Sequence, residues 1–166
     1  MKRIFAALLL ILIFIAGCFS DSPEPLTDYS FSLTWGTYGI SSYDSRTGRL
    51  VKTTDATNPE DYITTLILTE EQKSEIGAIL AELDFDEYPE VYNPNASLAT
   101  EPPMSLILTV QTGGNTYHIA AEDIAQGFES DHRQGQAFLD CCRGIIELLT
   151  ESEEWKALPE YEFLYD

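Results

Sequence analysis

The most reactive side chains in the sequence belong to two adjacent cysteines and two histidines. Cys141 and Cys142 could support redox or nucleophilic chemistry, because a cysteine thiolate is both a nucleophile and a metal ligand. Cys142, however, shares an apolar helical stripe with Phe138, where a thiol behaves as a small, inert hydrophobic side chain. A zinc site needs further ligands at regular spacing, and only His118 and His132 are present. We therefore predict a structural role for the cysteines and no metal site.

Acidic side chains are abundant, and four of them cluster after the first predicted helix: Asp84, Asp86, Glu87 and Glu90. Clustered oxygen ligands can bind calcium, but the spacing of an EF-hand is missing, and acids beside a helix end are usually solvated. Calcium binding stays an alternative. The sequence also lacks the fingerprints of serine hydrolases, zinc proteases, nucleotide-binding loops and dinucleotide-binding folds. We predict no enzymatic activity and no cofactor.

The segment from Asp86 to Pro103 contains several prolines and is predicted to be a long connector. Long connectors inside a compact domain are often functional. Tyr88 and Tyr92 would offer large amphipathic contact surfaces, and Glu87 and Glu90 would select a basic partner. We name these four residues as the candidate partner contact. The alternative is that both tyrosines pack back against the sheet.

The first eighteen residues indicate the compartment. Lys2 and Arg3 precede an apolar run over residues 4–15, which has the length of a secretory signal and is too short to cross a bilayer of about 30 Å. The residues that follow, Ile15-Ala16-Gly17-Cys18, resemble the lipobox of bacterial lipoproteins. That resemblance implies cleavage before Cys18 and lipidation of its sulfur, and two or more acyl chains hold a protein stably on a membrane. An ordinary signal peptide with a coincidental cysteine is the alternative.

The domain organisation expected from this anchor has three parts. Residues 1–17 form the signal peptide, residues 18–28 the lipidated cysteine and tether, and residues 29–166 a single extracytoplasmic domain. The chain has 28 acidic and 9 basic residues, and without Lys2 and Arg3 seven basic residues remain, which gives a formal charge of −21. Such a charge disfavours nucleic acid, whose phosphates require basic side chains. The expected partners are the membrane, through the lipid on Cys18, and a basic protein or cell-wall component.

The sequence between these residues predicts an α+β fold. Alternating apolar residues predict strands near 29–36, 38–43, 49–53, 62–68, 104–111 and 116–121, with turns at 44–48 and 112–115. Thr69 and Gln72 have the spacing of a capping box and begin a helix that ends near residue 83 or 84. A second helix is predicted over 134–150, with 151–157 as an extension and a final extended segment around Tyr161, Phe163 and Tyr165. We expect an antiparallel sheet of two hairpins plus an extra strand, with two main helices packed on one face.

The order of hairpin, helix, hairpin and helix resembles that of small uncharacterised lipoproteins of Gram-positive bacteria, a resemblance that implies no activity. We predict a non-catalytic binding or interaction module, lipid-anchored on the extracytoplasmic face of the cell membrane. The alternative is an envelope enzyme of unrecognised type, and a purely structural role in the envelope is a third hypothesis.

Overall fold

The fold is that of a computed structural model, which describes residues 23–37, 41–53, 61–95 and 98–160. The proposed lipobox with Cys18 lies outside these ranges, as does the predicted extended segment around Tyr161, Phe163 and Tyr165. Statements about the fold and its sites therefore concern the four ranges.

The strands are β1 (Tyr29–Thr37), β2 (Ser41–Asp44), β3 (Arg49–Thr53), β4 (Asp61–Thr65), β5 (Met104–Thr112) and β6 (Asn115–Ile124). The helices are α1 (Glu70–Ala81), α2 (Arg133–Thr150) and the short α3 (Glu153–Lys156), and a 3-10 turn spans Phe85–Glu87. Within the described residues, the six strands form one open antiparallel sheet in the order β4-β3-β2-β1-β5-β6. The predicted α+β class, with two hairpins and an extra strand, is confirmed.

The core lies between one face of this sheet and the two main helices. Along β1, Phe31, Leu33 and Trp35 are buried, whereas the intervening Ser32 and Thr34 are only partly covered. Because successive side chains of a strand point to opposite faces, this alternation shows that the helices cover one face. Both helices supply fully buried side chains: Ile76 and Leu80 from α1, and Phe138, Leu139, Cys142, Ile145 and Leu149 from α2.

Local sequence chemistry sets the start of both helices. The Thr69 hydroxyl accepts from the Gln72 amide at 3.2 Å, and the Gln72 side chain accepts from the Thr69 amide at 2.9 Å, so the predicted capping box is confirmed. Helix α1 ends at Ala81, two or three residues before the predicted end. Helix α2 begins one residue earlier than predicted because the His132 side chain caps it, with Nδ1 accepting from the Gly135 amide at 2.9 Å.

The predicted extension of the second helix through residues 151–157 is wrong. Ser152 ends that helix and starts α3, because its hydroxyl donates to the Leu149 carbonyl at 2.7 Å and accepts from the Trp155 amide at 3.2 Å. The break places the ring of Trp155 at 5.7 Å from that of Trp35. The change in chain direction therefore adds a second tryptophan to the core.

The chain between β4 and β5 has to pass three strands of the sheet. Strands β4 and β5 are separated by three others, a distance of about 19 Å at the usual strand spacing. The connector also carries more structure than predicted, since Val91 forms a parallel bridge with Ala120 of β6. The Tyr92 amide donates to the Ala120 carbonyl at 2.9 Å, and the Ala120 amide donates to the Glu90 carbonyl at 2.8 Å. The segment thus covers part of the β6 edge.

Candidate functional site

The two tyrosines of the predicted partner contact pack into the domain. Tyr92 is buried, and its ring lies 5.6 Å from Phe138 and 5.2 Å from Tyr88, edge-on in both cases. The half-buried Tyr88 donates its hydroxyl to the Gln134 carbonyl at 3.1 Å. Burial raises the pKa of both phenols. This arrangement is the alternative stated above, in which the tyrosines pack against the domain, and it leaves little of their rings for a partner.

The acidic residues of the same segment lie at the surface. Glu87 and Glu90 are exposed, as are Asp84 and Asp86. In the part of the chain that the structure describes, no group of three or more His, Cys, Asp or Glu side chains is arranged to hold a metal ion. Of the predicted contact, the two carboxylates are thus exposed, Tyr88 is half-buried and Tyr92 is buried.

The adjacent cysteines are both buried in α2. Burial raises the pKa of Cys141 to about 12, and burial together with Cys141 raises that of Cys142 well above its usual value. Both thiols are therefore protonated at physiological pH, where a protonated thiol is a poor nucleophile. The positions support the structural role predicted from the sequence.

The histidines have separate local roles. The ring of His132 caps α2, as described above, and so has a satisfied nitrogen. His118 is exposed on β6, where its Nδ1 lies 2.9 Å from the Thr109 hydroxyl. Among the described residues, neither histidine forms a potential metal-binding group with the two cysteines.

A cleft of about 590 Å³ opens between the chain that precedes β1 and the first turn of α1. We call it the tether cleft. It is lined by residues 25–31, by residues 43, 45 and 46, by residues 66–68, and by residues 70, 73 and 74. Its volume falls in the range of small-molecule sites, which is roughly 300–1,000 Å³.

One wall of the tether cleft is the segment that enters the domain. The Leu26 amide donates to the Gly77 carbonyl of α1 at 3.0 Å, and the Thr112 hydroxyl donates to the Asp28 carbonyl at 3.1 Å. Gly77 permits this approach, because a Cβ atom there would overlap the Leu26 carbonyl oxygen. Among the described residues, contacts with the domain are thus already present at Leu26, before the predicted boundary at residue 29.

The floor of the cleft is made of aromatic rings. Phe31 lies 6.3 Å from Tyr29 and 5.6 Å from Tyr43 between ring centroids. The Tyr29 hydroxyl donates to the Lys73 carbonyl at 2.5 Å, and the buried Tyr43 hydroxyl donates to the Leu66 carbonyl at 3.1 Å. Burial raises the pKa of both tyrosines to about 12. The floor is thus uncharged and held in place by hydrogen bonds.

The rim of the cleft combines charge with exposed apolar surface. Arg46 is exposed, and within the described ranges its guanidinium makes no ion pair. Lys73 pairs with Glu70 at 2.7 Å, but both side chains are exposed, and such surface pairs contribute little. Ile67 is 70% exposed although it follows a buried leucine and precedes another. An anion and an apolar group could both be accommodated here.

A second cavity of about 500 Å³ adjoins the first. We call it the hairpin pocket, because it reaches the β5–β6 turn at Gly113 and Gly114. It shares four lining residues with the tether cleft: Asp28, Tyr29, Ser30 and Arg46. The remainder of its lining is polar or glycine: Gln111, Thr112, Gly113, Gly114, Asn115 and Thr116. Arg46 therefore lies where the two cavities meet.

A buried lysine lies elsewhere on the sheet. Lys52 of β3 is 5% exposed, and its ammonium lies 4.8 Å from the ring centroid of Trp155. Burial lowers the pKa of Lys52, while the charge of Glu160 acts in the opposite direction. A cation over an indole ring is a favourable pair, so this contact helps to attach α3 to the sheet.

Sequence reasoning missed the tether cleft because its walls come from distant parts of the chain. The turn at 44–48 and the cap at Thr69 were both predictable, but their proximity depends on the Leu66 amide donating to the Gly48 carbonyl at 2.8 Å. One local signal was available. In the apolar run Leu66-Ile67-Leu68 an extended backbone directs Ile67 to the face opposite Leu66 and Leu68, so the three side chains cannot share one buried face.

The chain matches no known protein family and resembles no curated protein significantly. Among the helices of the described ranges, none has the length and apolar character needed to cross a bilayer. A fold alone does not define a function, so the function has to be argued from the site.

Proposed function

We propose that this protein is a lipid-anchored, extracytoplasmic binding protein whose ligand occupies the tether cleft. The pattern Ile15-Ala16-Gly17-Cys18 supports the anchor, and the tether cleft supports the binding role. The observation that carries the proposal is a cleft of about 590 Å³ whose lining joins three aromatic side chains to Arg46, a cation with no ion pair among the described residues.

The cleft has the properties of a preformed site. Its floor rings are fixed by the hydrogen bonds of Tyr29 and Tyr43, so little conformational freedom is lost when a ligand binds. Its rim exposes Ile67, whose apolar surface a ligand would remove from water. It also presents Arg46, a cation that forms no ion pair with the carboxylates of the described residues although the chain carries 28 acidic side chains.

The chemistry of the lining favours binding over catalysis. With a pKa of about 12, the phenols of Tyr29 and Tyr43 stay protonated near neutral pH, where a general base would have to be ionised. Both hydroxyls already donate to backbone carbonyls. These tyrosines shape the cleft and are poorly suited to act as general bases.

The test compares two tryptophan substitutions at adjacent, exposed positions of α1. Ser74 lines the tether cleft and Glu75 does not, so Ser74→Trp fills the cleft while Glu75→Trp places the same ring outside it. Each variant and the wild type are purified from their own membranes, and the bound small molecules are extracted and identified by mass spectrometry. We expect a molecule that accompanies the wild type and Glu75→Trp but is lost from Ser74→Trp. Equal recovery from all three proteins, or no bound molecule in any, would contradict the proposal.

A further inference from the structure

We infer that the ligand is an anionic amphiphile whose apolar chain lies in the tether cleft, whose single anionic group binds Arg46, and whose polar head enters the hairpin pocket. This inference rests on the proposed binding function of the tether cleft. It names the chemical class of the ligand and extends the site into the second cavity.

The apolar part of the ligand is indicated by the walls of the tether cleft. The lining includes the partly exposed Leu26 and Tyr29, together with the buried side chains of Phe31, Tyr43, Leu66 and Leu68. At its rim Ile67 remains 70% exposed, and a hydrocarbon chain lying along it would remove this surface from water. A fully polar ligand would leave the exposed Ile67 side chain without a contact.

The polar part of the ligand is indicated by the hairpin pocket. Its lining includes the amide side chains of Gln111 and Asn115 and the hydroxyl of Ser30. The Ser30 hydroxyl lies 3.3 Å from the Gln111 Oε1 atom, which leaves the amide nitrogen of Gln111 available as a donor. A head group with hydroxyl or carbonyl oxygens matches this set of donors and acceptors.

The position and number of the anionic group follow from the charged residues of the lining. Arg46 lines both cavities, and a guanidinium can bind a phosphate or carboxylate through two parallel hydrogen bonds. Asp28 also lines both cavities, and Glu70 lines the tether cleft, where it pairs with Lys73, so the carboxylates of the lining would repel a second negative charge. One anionic group between an apolar chain and an uncharged head fits both observations.

Photolabelling of the full-length protein, processed in its host and placed in phosphatidylcholine nanodiscs, tests the inference. The anionic probe is a lysophosphatidylglycerol with a diazirine in its acyl chain, and the neutral probe is a monoacylglycerol with the same chain. We expect the anionic probe to label residues of the tether cleft, with a yield roughly tenfold above that of the neutral probe. Mass spectrometry of the digested protein locates the label.

Two pairs of exposed residues supply matched variants. Arg46→Gln should reduce labelling by the anionic probe to the level of the neutral probe, whereas Arg49→Gln should leave it unchanged, because Arg49 is exposed but lines neither cavity. Ile67→Ser should reduce labelling by both probes, whereas Ile63→Ser, at a position that is 57% exposed and outside the cavities, should not. All four positions are at the surface, and a thermal melt of each variant verifies its folding.

Three results would overturn the inference. Equal labelling by the two probes, with no effect of Arg46→Gln, would mean that the cleft binds an apolar molecule and does not discriminate between anionic and neutral ligands. The proposed binding function would then still stand. Displacement of the probe by inorganic phosphate as readily as by unlabelled lysophosphatidylglycerol would mean that a free anion is the ligand. Labelling outside the cleft would exclude this class of ligand, and the comparison of Ser74→Trp with Glu75→Trp would then decide separately whether the cleft binds anything.

Discussion

Replacing Gly77 by alanine should destabilise the domain, which is the opposite of what the change usually does within a helix. In the interior of an exposed helix, alanine is more favourable than glycine by about 1 kcal/mol. Gly77 is buried in α1, however, and the new methyl group would overlap the backbone carbonyl oxygen of Leu26 and lie 3.2 Å from a carbon of the Tyr29 ring. A backbone atom cannot rotate away as the end of a side chain can, so the entering segment has to move.

The expected size of the effect follows from three contributions. Overpacking of this kind costs about 1–3 kcal/mol. Displacement of the segment weakens the hydrogen bond from the Leu26 amide to the Gly77 carbonyl, now 3.0 Å long, which is worth about 0.5–1.5 kcal/mol. The gain in helix propensity offsets about 1 kcal/mol of this loss. The free energy of unfolding should therefore fall by on the order of 2 kcal/mol.

Gly144 of α2 provides the matched control. A Cβ atom there would first meet the terminal methyl carbon of Ile79 at 3.2 Å, and that side chain can adjust. Gly144→Ala should thus be neutral or stabilising by up to about 1 kcal/mol. Urea unfolding of residues 20–166, followed by circular dichroism, measures both changes. If Gly77→Ala proved as stable as Gly144→Ala, the close docking of Leu26 on α1, and with it this wall of the tether cleft, would be refuted.

Three further predictions concern other parts of the molecule. Tyr88→Phe should lower the free energy of unfolding by about 1 kcal/mol, because it removes a hydrogen bond. Tyr92→Phe should be neutral or stabilising, because the buried Tyr92 hydroxyl has no hydrogen bond in the described part of the chain. If urea unfolding showed Tyr92→Phe to be the more destabilising change, the packing described for these two rings would be wrong. Folding raises the pKa of Cys141 from 9.0 to about 12, so the folded state holds this proton more tightly than the unfolded state. The stability that the neutral thiol contributes should therefore persist below about pH 9 and decline as the pH rises towards 12. A melting temperature that stays constant over this interval would argue against the burial of Cys141 and Cys142. Cys18→Ala should abolish incorporation of a labelled fatty acid in the host, and undiminished label would exclude the lipobox interpretation.

Much of the fold could be predicted because local chemistry determines it. The turn at 44–48 requires a residue with positive φ, and Gly48 adopts a φ of 71° there. The hairpin at 112–115 likewise places Gly113 and Gly114 at φ 57° and 81°. The capping box of Thr69 depends on residues only three apart. In each case the atoms that decide the conformation lie within a few residues of one another.

The remaining features depend on contacts between distant residues, which no local pattern encodes. Ser152 caps α3 through neighbours three residues away, but the position of the Trp155 ring depends on its contact with Trp35, far away in the chain. The connector tyrosines are buried because the segment around Val91 bridges to β6, which leads Tyr92 onto Phe138. The sequence of a proline-rich segment with two tyrosines does not show whether their rings face solvent or pack against a helix. Both a partner contact and packing within the domain therefore remained possible.

In the candidate site, too, the local segments were predictable, whereas their arrangement around a cavity was not. Arg46 and Ile67 each belong to a segment whose local structure was recognisable, and neither segment by itself contains a cavity. The tether cleft exists because a turn of the sheet, the entry to α1 and the chain before β1 meet at one place. Its recognition required the three-dimensional arrangement.

A nuclear magnetic resonance titration tests the binding function of the tether cleft most directly. Isotope-labelled protein comprising residues 20–166 is titrated with octyl phosphate, a single-chain anionic amphiphile, below the concentration at which it forms micelles. The expected result is a saturable set of chemical-shift changes confined to amides near Leu26, Tyr29, Arg46, Ile67 and Lys73, which is lost in Ser74→Trp and retained in Glu75→Trp. Changes that do not saturate, or that centre on the open face of the sheet around Ser32 and Thr109, would contradict a binding site in the tether cleft.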